Sequence, residues 1–469
     1  MSAPPLALAA AWARRRGERH LLLASLGSVT IGFILVLGSA HEAGGSLMTR
    51  DLLPLLTYAA SLIGLHLALV LLGFRGDQVL VGVAAFLAGL GLLAQTRMGT
   101  LDRTEALVPG PLLLPMGLLV MVATAGAFMD GRHRQLARGF WLWGGLSLAL
   151  VVLLLAIGQR FRGAVFGLGL VTPTELLKVT VVLFLAGYLD RHGRALGLWH
   201  PRLPLPPWQP LWPLLAYWSG LMGLLLIQRD LGMVAILSVP LLALLVMGSG
   251  RGGYLAYGAL AALILGFMVL GVFEHGGRRI GAWLDPFEDP TGDGWQILQG
   301  LSGLYAGGLW GEGFGQGSPG YTPIAESDFI YTVLGEELGF IGSTVVILFY
   351  LILFQRALQI ATQSRCGFGR LLAAGVTAVL ATQTFLNVAG VTKLIPLTGV
   401  TLPLISQGGA SLITTFTGLG LLLAVSDGAP ASPARQRKGR STAKAPPAAS
   451  TSAQKTRRAP RRSVNKERG

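Results

Sequence analysis

Two carboxylates stand where a polar segment of the chain ends and an apolar run begins. They are Glu326 and Asp328, on either side of Ser327. The pattern predicts that Asp328 begins a helix, and a carboxylate at a helix start is favoured in its ionised form. An ionised carboxylate can take the proton of an attacking hydroxyl group, which is the task of a general base. A plain N-cap formed by Ser327 or Asp328 is the structural alternative.

Cations and other polar groups occur at further places where apolar runs end. They are Arg160, Arg162, Glu175, Lys178, Arg229, Asp230, Lys393 and Ser406, with Arg278 and Arg279 inside the polar segment. A charge in apolar surroundings is costly unless it is paired or faces a cavity, so these groups mark candidate sites. Glu175 and Lys178 stand three residues apart after Pro173. They either form an intrahelical ion pair or belong to a site, and a pair can do both. Arg229 and Asp230 lie at the tip of a hairpin between two predicted helices. This tip is either a solvated turn or a support for a cavity.

The chain around these residues is strongly apolar. Of its residues, 52% are hydrophobic and 13% are charged, and the mean hydropathy is +0.60. Soluble domains are less apolar, and continuous apolar runs argue against a membrane β-barrel, whose strands alternate. We therefore predict an all-α polytopic membrane protein with about twelve transmembrane helices. Their expected positions are 21–40, 52–73, 79–96, 112–129, 139–157, 173–189, 211–228, 231–248, 254–273, 329–355, 371–391 and 409–426.

Basic loops predict the orientation of these helices. Lys and Arg cluster on alternate short loops, which places those loops in the cytoplasm. Both termini are then cytoplasmic, and the polar segment 274–328 is a large exterior loop. Arg97 and Arg103, on a predicted exterior loop, are exceptions. The expected organisation is a cytoplasmic amino-terminal segment (1–20), amino-terminal transmembrane helices (21–157), a membrane core with the candidate site (158–427) and a basic cytoplasmic tail (428–469).

The net charge of +15 belongs mostly to the tail. Residues 428–469 contain twelve Lys or Arg and one Glu, which leaves a charge of +4 for the rest of the chain. The tail has little to bury, so we expect it to be disordered. Attraction to anionic membrane lipid explains its charge more simply than specific recognition does. We expect no nucleic-acid partner.

Residues 274–328, called the cap from here on, have the composition of an ordered element. They include Trp283, Trp295 and Trp310, too much aromatic surface for a disordered linker. Residues 296–305 have helical spacing, and the Gly-rich stretch 307–317 predicts a tight irregular loop. No Gly-Lys-Ser/Thr sequence ends that stretch, which excludes a P-loop.

The segment 393–408, called the last loop, precedes the final apolar run. It is too rich in Pro and Gly for a simple helix. Irregular backbone at membrane depth must line a cavity or lie inside protein. We therefore expect the last loop to face the same chamber as Asp328.

Several strings of residues, taken in order along the chain, resemble the SEDS family of shape, elongation, division and sporulation proteins (RodA/FtsW-like). They are TPTELLK (172–178), QRDLG (228–232), DPFEDPTGDGWQILQ (285–299), PIAESDFIY (323–331), LGEELGFIG (334–342) and PLTGVTLPLISQGGASL (396–412), with Gln159-Arg160-Phe161 ahead of them. The resemblance implies a SEDS-type fold, here with two extra amino-terminal helices, as in actinobacterial members with a longer amino-terminal part. It makes 158–427 the catalytic membrane core.

The resemblance also assigns roles to residues. The essential aspartate of the family falls on Asp328, its arginine before an aromatic residue on Arg160, and its PSE…K motif on Glu175 and Lys178. The chain departs from the common pattern at Ile324, Glu326, Phe161, Gln407 and Ala410.

The implied activity is that of a peptidoglycan glycosyltransferase in the bacterial cytoplasmic membrane. It polymerises lipid II into β-1,4 glycan at the exterior face during cell elongation or division, with inversion and release of undecaprenyl pyrophosphate. Asp328 is expected to be the catalytic base. Substrate binding is expected from Arg160, Arg162, Glu175, Lys178, Arg229, Asp230, Glu326, Lys393 and Ser406.

Cofactors and partners follow from the same interpretation. A divalent cation, Mg²⁺ or Mn²⁺, could help to neutralise the pyrophosphate, and no organic cofactor is expected. The expected partners are lipid II, the growing glycan strand, membrane lipid and a class B penicillin-binding protein, which is a transpeptidase.

Two other functions fit parts of the sequence. A transporter or flippase of lipid-linked cell-wall precursors fits twelve helices around a polar cavity, but it predicts polar groups along both halves of the path. A scaffold with a degenerate site fits the membrane bundle, but Asp328, Glu175 and Lys178 are intact.

Overall fold

The computed structural model describes residues 5–42, 44, 48–102, 109–161, 164–167, 172–200, 205–272 and 274–428. Within them the chain forms fifteen α-helices and one two-stranded antiparallel hairpin. The helices are α1 (Pro5–Arg14), α2 (Arg16–Glu42), α3 (Leu53–Leu71), α4 (Gln78–Arg97), α5 (Gly110–Phe128), α6 (Phe140–Ile157), α7 (Thr174–Leu196), α8 (Trp208–Gln228), α9 (Leu231–Ser249), α10 (Tyr254–Val272), α11 (Glu274–Leu284), α12 (Trp295–Gly307), α13 (Ile330–Gln363), α14 (Gly367–Val391) and α15 (Gly409–Asp427). The strands are β1 (Gln159–Phe161) and β2 (Ala164–Gly167). The tail predicted to be disordered lies, after Gly428, outside the described residues.

Ten helices in this part of the chain are long and apolar enough to cross a membrane. They are α2, α3 with the 3₁₀ turn before it, α4, α5, α6, α8, α9, α13, α14 and α15. The predicted all-α polytopic fold is therefore confirmed, whereas the count of twelve is not. The two further helices, α7 and α10, do form near the predicted positions 173–189 and 254–273. Charged residues at both ends of α7 shorten its apolar stretch, and α10 provides only a shorter apolar helix, Tyr254–Gly266.

Burial is greatest in α4, α14 and α15, where 78%, 72% and 67% of the most apolar window lies inside the protein. Small residues let these helices approach their neighbours closely. A Cβ at Gly117 of α5 would lie 2.4 Å from the Phe416 ring of α15, and one at Gly375 of α14 would lie 2.7 Å from Val182 of α7. The helix α7 is also buried along its length and packs between α6, α9 and α14. Among these buried helices, α7 carries Glu175 and Lys178 of the candidate site.

The first three helices are joined by a buried polar cluster. Arg15 pairs with Glu18 and donates a hydrogen bond to the Phe74 carbonyl oxygen at 3.0 Å. The second Glu18 oxygen contacts Nδ1 of His66 on α3 at 2.6 Å. All three side chains are buried. The cluster ties α1, α2 and α3 to the turn that leads into α4.

The cap consists of α11, α12 and a Gly-rich loop, and α12 agrees with the helical spacing predicted for 296–305. The loop packs into a break in α13 at Gly339, whose φ is +68°. At this break the Phe340 amide donates to the Gly308 carbonyl at 2.9 Å, and the Glu312 amide donates to the Glu336 carbonyl at 2.9 Å. Backbone groups that the helix would leave unpaired are thus used to hold the cap.

Two other helices also hold the Gly-rich loop. Ser39 of α2 donates to the Gly315 carbonyl at 2.8 Å. Arg97 of α4 donates to the Gly317 carbonyl at 2.8 Å and pairs with Glu337 Oε1 at 3.2 Å. Arg97 was an exception to the expected charge pattern, and the structure shows why it is tolerated: its charge is met by a buried carboxylate of α13.

Candidate active site

Asp328 lies on a series of turns, residues 323–329, that leads into α13. The amides of Ser327 and Phe329 donate to the Ile324 carbonyl at 3.1 and 3.3 Å, and Ile324 has a φ of +50°. The helix begins at Ile330, with Phe329 in the N-cap position and no side-chain cap. The prediction that Asp328 begins the helix was therefore wrong by two residues. The N-cap alternative is also wrong, since neither Ser327 nor Asp328 caps α13.

The surroundings of the Asp328 carboxyl oppose its ionisation. Burial raises the pKa of Asp328, and the charge of Glu326 adds to the rise. A hydrogen bond from Ser327 Oγ at 3.1 Å and the charge of Arg279 lower the pKa but do not cancel the rise. We expected the ionised form to be favoured, and the structure reverses that expectation because burial of the carboxyl opposes its charge. A carboxylate with a raised pKa is the stronger base.

The last loop and α14 hold the turn by three consecutive carbonyl groups. The Glu326 carbonyl accepts from the Gln407 amide at 2.7 Å, and the Ser327 carbonyl accepts from Ser406 Oγ at 2.5 Å. The Asp328 carbonyl accepts from Asn387 Nδ2 at 2.8 Å, and the same amide group donates to the Val400 carbonyl at 2.6 Å. The last loop therefore contacts the Asp328 turn, and the chamber that both were predicted to face stays a prediction. The backbone on both sides of the carboxyl is fixed by groups from two other segments.

Glu175 and Lys178 form the ion pair predicted from their spacing, at 2.6 Å. Lys178 Nζ also donates to Gln383 Oε1 of α14 at 2.9 Å, and Gln383 Nε2 donates to the Thr401 carbonyl of the last loop at 2.9 Å. The pair is thus both an internal ion pair of α7 and a link to the loop that supports Asp328.

Asp230 lies in the same electrostatic neighbourhood as this pair. It is the N-cap of α9 and accepts from the Met233 amide at 2.9 Å. Burial raises its pKa, the Met233 amide lowers it, and the charges of Glu175, Lys178 and Arg279 act on it as well. Asp230 is therefore a largely buried N-cap and Arg229 an exposed residue, and a role of this turn in supporting a cavity stays a prediction.

Arg229 and Lys393 occupy tight turns. Arg229 ends α8 with a φ of +66° and is exposed, and Lys393 follows α14 with a φ of +59°. The Lys393 carbonyl accepts from Trp283 Nε1 of the cap at 3.0 Å, so the cap and the last loop meet at this residue.

Two predicted site residues cannot be placed. Arg160 lies in β1, where it pairs with Val165 of β2, but its side chain is outside the described part of the chain. Arg162 lies outside the described residues altogether. Their expected role in binding substrate stays a prediction.

Two residues of the site, Gln383 and Asn387, were not predicted to belong to it, and Arg279 was named only among the cations that mark candidate sites. Arg279 donates to the Leu397 and Thr398 carbonyls of the last loop at 3.4 Å each, and its charge acts on Asp328. Gln383 and Asn387 supply the contacts described above. The sequence contained a hint of each role. Arg279 is a cation in the cap, and the amide side chains of Gln383 and Asn387 stand four residues apart in an apolar helix.

Comparison with known proteins identifies the family. The model of the FtsW/RodA/SpoVE family, described as cell cycle proteins, matches residues 79–429. The chain belongs to this family. The match begins at the second residue of α4, so α1, α2 and α3 precede the matched residues. That two of these helices are extra to the family stays a prediction. All placed site residues lie within it.

FtsW/RodA relatives resemble the chain over most of its length. The peptidoglycan glycosyltransferase RodA of Mycobacterium tuberculosis H37Rv is 34% identical over 441 residues, which cover 91% of this chain and 93% of the relative. The probable peptidoglycan glycosyltransferase FtsW of Geobacter sulfurreducens (strain DL-1 / KN400) is 36% identical over 61% of this chain and 76% of the relative. Among solved structures, a chain of a peptidoglycan synthase complex has a TM-score of 0.60 and 29% identity, covering 75% of this chain and 97% of that one. The crystal structure of Thermus thermophilus RodA has a TM-score of 0.52 and 27% identity, covering 75% of this chain and 96% of that one.

Proposed function

We propose that this chain is a peptidoglycan glycosyltransferase that polymerises lipid II into β-1,4 glycan, with Asp328 as its base. The observation that carries the proposal is the Asp328 turn: a half-buried carboxyl of raised pKa whose backbone is fixed at three consecutive carbonyls. Membership of the FtsW/RodA/SpoVE family supports it.

In the proposed reaction one proton is transferred to Asp328, and the bond from the donor sugar to pyrophosphate is replaced by a bond to the acceptor sugar. Asp328 takes the proton of the acceptor's GlcNAc 4-hydroxyl as that oxygen attacks the anomeric carbon of the donor's MurNAc. The bond from this carbon to the pyrophosphate breaks, and undecaprenyl pyrophosphate leaves with the electron pair. Attack from the opposite face inverts the carbon and gives the β-1,4 link. The proton then passes from Asp328 to water.

The leaving pyrophosphate needs cations more than a proton. Lys178 is already neutralised by Glu175 at 2.6 Å, so we assign it mainly a positioning role. Arg279 and Lys393 suit the pyrophosphate better, because Arg279 contacts the last loop and Lys393 begins it. Charge-assisted hydrogen bonds from such cations stabilise the charge that develops in the transition state. Arg160, Arg162 and Arg229 remain predicted contributors.

A divalent cation fits this site only together with the substrate. The described residues contain no group of three or more His, Cys, Asp or Glu side chains that could hold a metal. Mg²⁺ is commonly bound by one or two carboxylates and by substrate phosphates, and Glu326 on the Asp328 turn could supply such a carboxylate. Bound there, Mg²⁺ or Mn²⁺ would neutralise pyrophosphate charge.

The protein is a multi-pass membrane protein of the FtsW/RodA family. We propose that both termini are cytoplasmic and that the cap and the Asp328 turn face the exterior, because basic loops alternate along the chain. We also propose a class B penicillin-binding protein as its partner. The similarity to a chain of a peptidoglycan synthase complex supports a partner of this kind.

The deciding experiment reconstitutes the purified protein in vesicles with labelled lipid II and its penicillin-binding protein, whose own transferase, if any, is inactivated. We expect the wild type to make polymer and Asp328→Asn to lose at least about 10²-fold in rate, as for removal of a general base. Asp293→Asn, an exposed carboxylate of the cap, is the matched control and should leave the rate unchanged. Wild-type activity in Asp328→Asn would disprove the mechanism. Movement of lipid II across vesicles without polymer would establish a flippase instead.

A further inference from the structure

A cavity of about 410 Å³ lies between the cap and α13. One wall is a single face of α12, formed by Gln299, Ser302, Gly303 and Ala306 at helical spacing. The Gly-rich loop and the turn after it form the opposite wall, and Glu336 of α13 lies at the base. Within the described residues, this lining shares none with the Asp328 site. Its volume is far above the roughly 30 Å³ that one water occupies, and it falls in the range of ligand pockets.

The lining is polar without being cationic. Gln299, Ser302, Gln316 and Thr322 offer neutral donors and acceptors, and Glu312 and Glu336 offer carboxylates. Of the described residues that line the cavity, none is Lys or Arg. A phosphate would find no opposite charge here. A polyol, whose hydroxyl groups donate to carboxylates and exchange hydrogen bonds with amides, fits this set of groups.

Glu336 carries an unused acceptor at the base of the cavity. Its side chain is 6% exposed, and its Oε1 accepts from the Ser318 amide at 2.8 Å. Its Oε2 is buried and has no hydrogen-bond partner among the described residues. A Cβ added at Gly303 would lie 3.8 Å from this oxygen and 3.5 Å from Thr322 Oγ1, so both oxygens face the α12 wall. A buried charged acceptor without a donor is costly, and a ligand hydroxyl would satisfy it.

The cavity adjoins the Asp328 turn along α12. A Cβ at Gly300 would lie 2.5 Å from the Phe329 ring, which follows Asp328 directly. Gly303 comes one helical turn after Gly300, and Glu336 stands about 9 Å along α13 from its first residue. Tyr321, which also lines the cavity, is 77% exposed and offers a ring face to a sugar.

We propose that this cavity is a second carbohydrate site, which binds N-acetylated sugar residues of the glycan strand next to the residue held at Asp328. The proposal rests on the proposed function, since only a polymerase on this side of the membrane brings a glycan to the cap. Binding there keeps the strand attached between additions, so the site controls strand length.

Direct binding tests the site without catalysis. The probe is the N-acetylglucosamine tetrasaccharide, titrated against the full-length protein in detergent and followed by saturation-transfer NMR. Ser302→Phe fills the cavity from the α12 wall, and Glu336→Gln replaces the unpaired acceptor with a donor. Each should raise the Kd at least about tenfold, as expected for loss of a hydrogen bond to a charged group. Glu288→Gln, an exposed carboxylate of the cap outside the lining, should leave it unchanged.

Asp328→Asn separates the two proposals. It should bind the tetrasaccharide as the wild type does while making no polymer. If it lost the tetrasaccharide instead, the sugar would be in the Asp328 site and the second site would not exist. Binding of Mn²⁺ alone that depended on Glu336, with no binding of the tetrasaccharide, would make the cavity a cation site and overturn the proposal.

Strand length tests the consequence in the reconstituted reaction with lipid II. Ser302→Phe and Glu336→Gln should shorten the strands several-fold relative to Glu288→Gln. Wild-type strand lengths in both variants, from an enzyme that polymerises normally, would refute the second site and leave the proposed function intact. A wild type that made no polymer would refute the proposed function by itself, whatever the tetrasaccharide titration showed.

Discussion

The Asp328 carboxyl combines a fixed backbone with surroundings that disfavour its charge. Its carbonyl group and the two before it are bound by Gln407, Ser406 and Asn387, so the turn cannot relax to solvate the side chain. Burial then raises the pKa. Sites that need a base commonly hold a carboxyl in this state at the expense of stability.

Asp328→Asn should raise the stability of the fold while it abolishes polymerisation. A carboxyl whose pKa is raised by folding binds protons more tightly when folded, so stability falls as pH rises from the unfolded pKa through the folded one. The amide does not ionise and avoids this loss. We expect the gain in melting temperature to be largest at neutral pH and to shrink as the pH is lowered. Fluorescence-detected melting in detergent from pH 4 to 8 measures it, with the exposed Asp293→Asn showing no such trend. A lower melting temperature for Asp328→Asn at neutral pH would contradict the burial argument.

The acid limb of the pH–rate profile should respond to Arg279. Polymerisation needs ionised Asp328, so the rate falls as pH decreases through the raised pKa. The charge of Arg279 lowers that pKa, and Arg279→Gln should therefore move the limb to higher pH. Rates of lipid II polymerisation from pH 4 to 8 test this, with the neighbouring Arg278→Gln as the comparison. A limb that stayed in place in Arg279→Gln would show that this charge does not reach Asp328.

The sequence predicts the identity of most site residues but not the electrostatics around them. Asp328, Glu175, Lys178, Asp230 and Ser406 stand in recognisable strings and are found in the site. The direction of the Asp328 pKa depends on burial, and the part played by Arg279 depends on carbonyl groups more than a hundred residues away. Neither is a local property of the chain, so local patterns cannot reveal it.

At the scale of elements, the break in α13 decides how the cap is attached. The backbone of this helix at residues 336 and 340 pairs with the Gly-rich loop at residues 312 and 308. Gly339 has a φ of +68°, and its own Cβ would lie 2.3 Å from the Gly311 amide nitrogen. Both the conformation and the contact require glycine.

Gly339→Ala should detach the cap from α13. Positive φ and a clash with backbone each cost on the order of 1–3 kcal/mol. Gly281→Ala is the matched control, since nothing lies within 4 Å of a Cβ at that position in α11. Limited proteolysis of the protein in detergent should cut the cap faster in Gly339→Ala than in the wild type or Gly281→Ala. Equal rates of cutting in all three would show that the cap is held elsewhere.

Helices were easier to predict than the connections between them. Ten spans follow from apolar runs of sufficient length, which is a local property. The break at Gly339, by contrast, lies inside an apolar pattern that favours one continuous helix. The strands of the β1–β2 hairpin have only three and four residues. They are too short to show the alternation of apolar and polar residues that predicts a strand. These features exist because of what packs against them.

At the scale of the whole molecule, the helices that precede the family match contact the rest of the chain in two places. Near the start of α2, the cluster of Arg15, Glu18 and His66 is joined to the turn before α4. Near its other end, Ser39 contacts the Gly-rich loop of the cap at Gly315. Of these helices, α2 therefore helps to hold the cap, although it precedes the residues matched by the family model.

Glu18→Ala should destabilise the whole bundle. It leaves Arg15 buried without its carboxylate, and removing one partner of a buried pair costs about 3–5 kcal/mol. Glu42→Ala, an exposed residue near the other end of the same helix, is the control. We expect one cooperative unfolding transition, lowered in Glu18→Ala and unchanged in Glu42→Ala. A normal melting temperature for Glu18→Ala would mean that the cluster does not support the bundle.

The way in which the Asp328 turn is held also determines which substitutions beside Asp328 the turn tolerates. The contact between positions 326 and 407 runs from a backbone amide to a backbone carbonyl, so it survives any exchange of side chains except proline at 407. The Gln407 side chain makes a separate contact, in which Nε2 donates to the Thr100 carbonyl at 3.2 Å. Because the link is formed by main-chain groups, side-chain substitutions at 326 and 407, other than proline at 407, should leave the Asp328 turn in place.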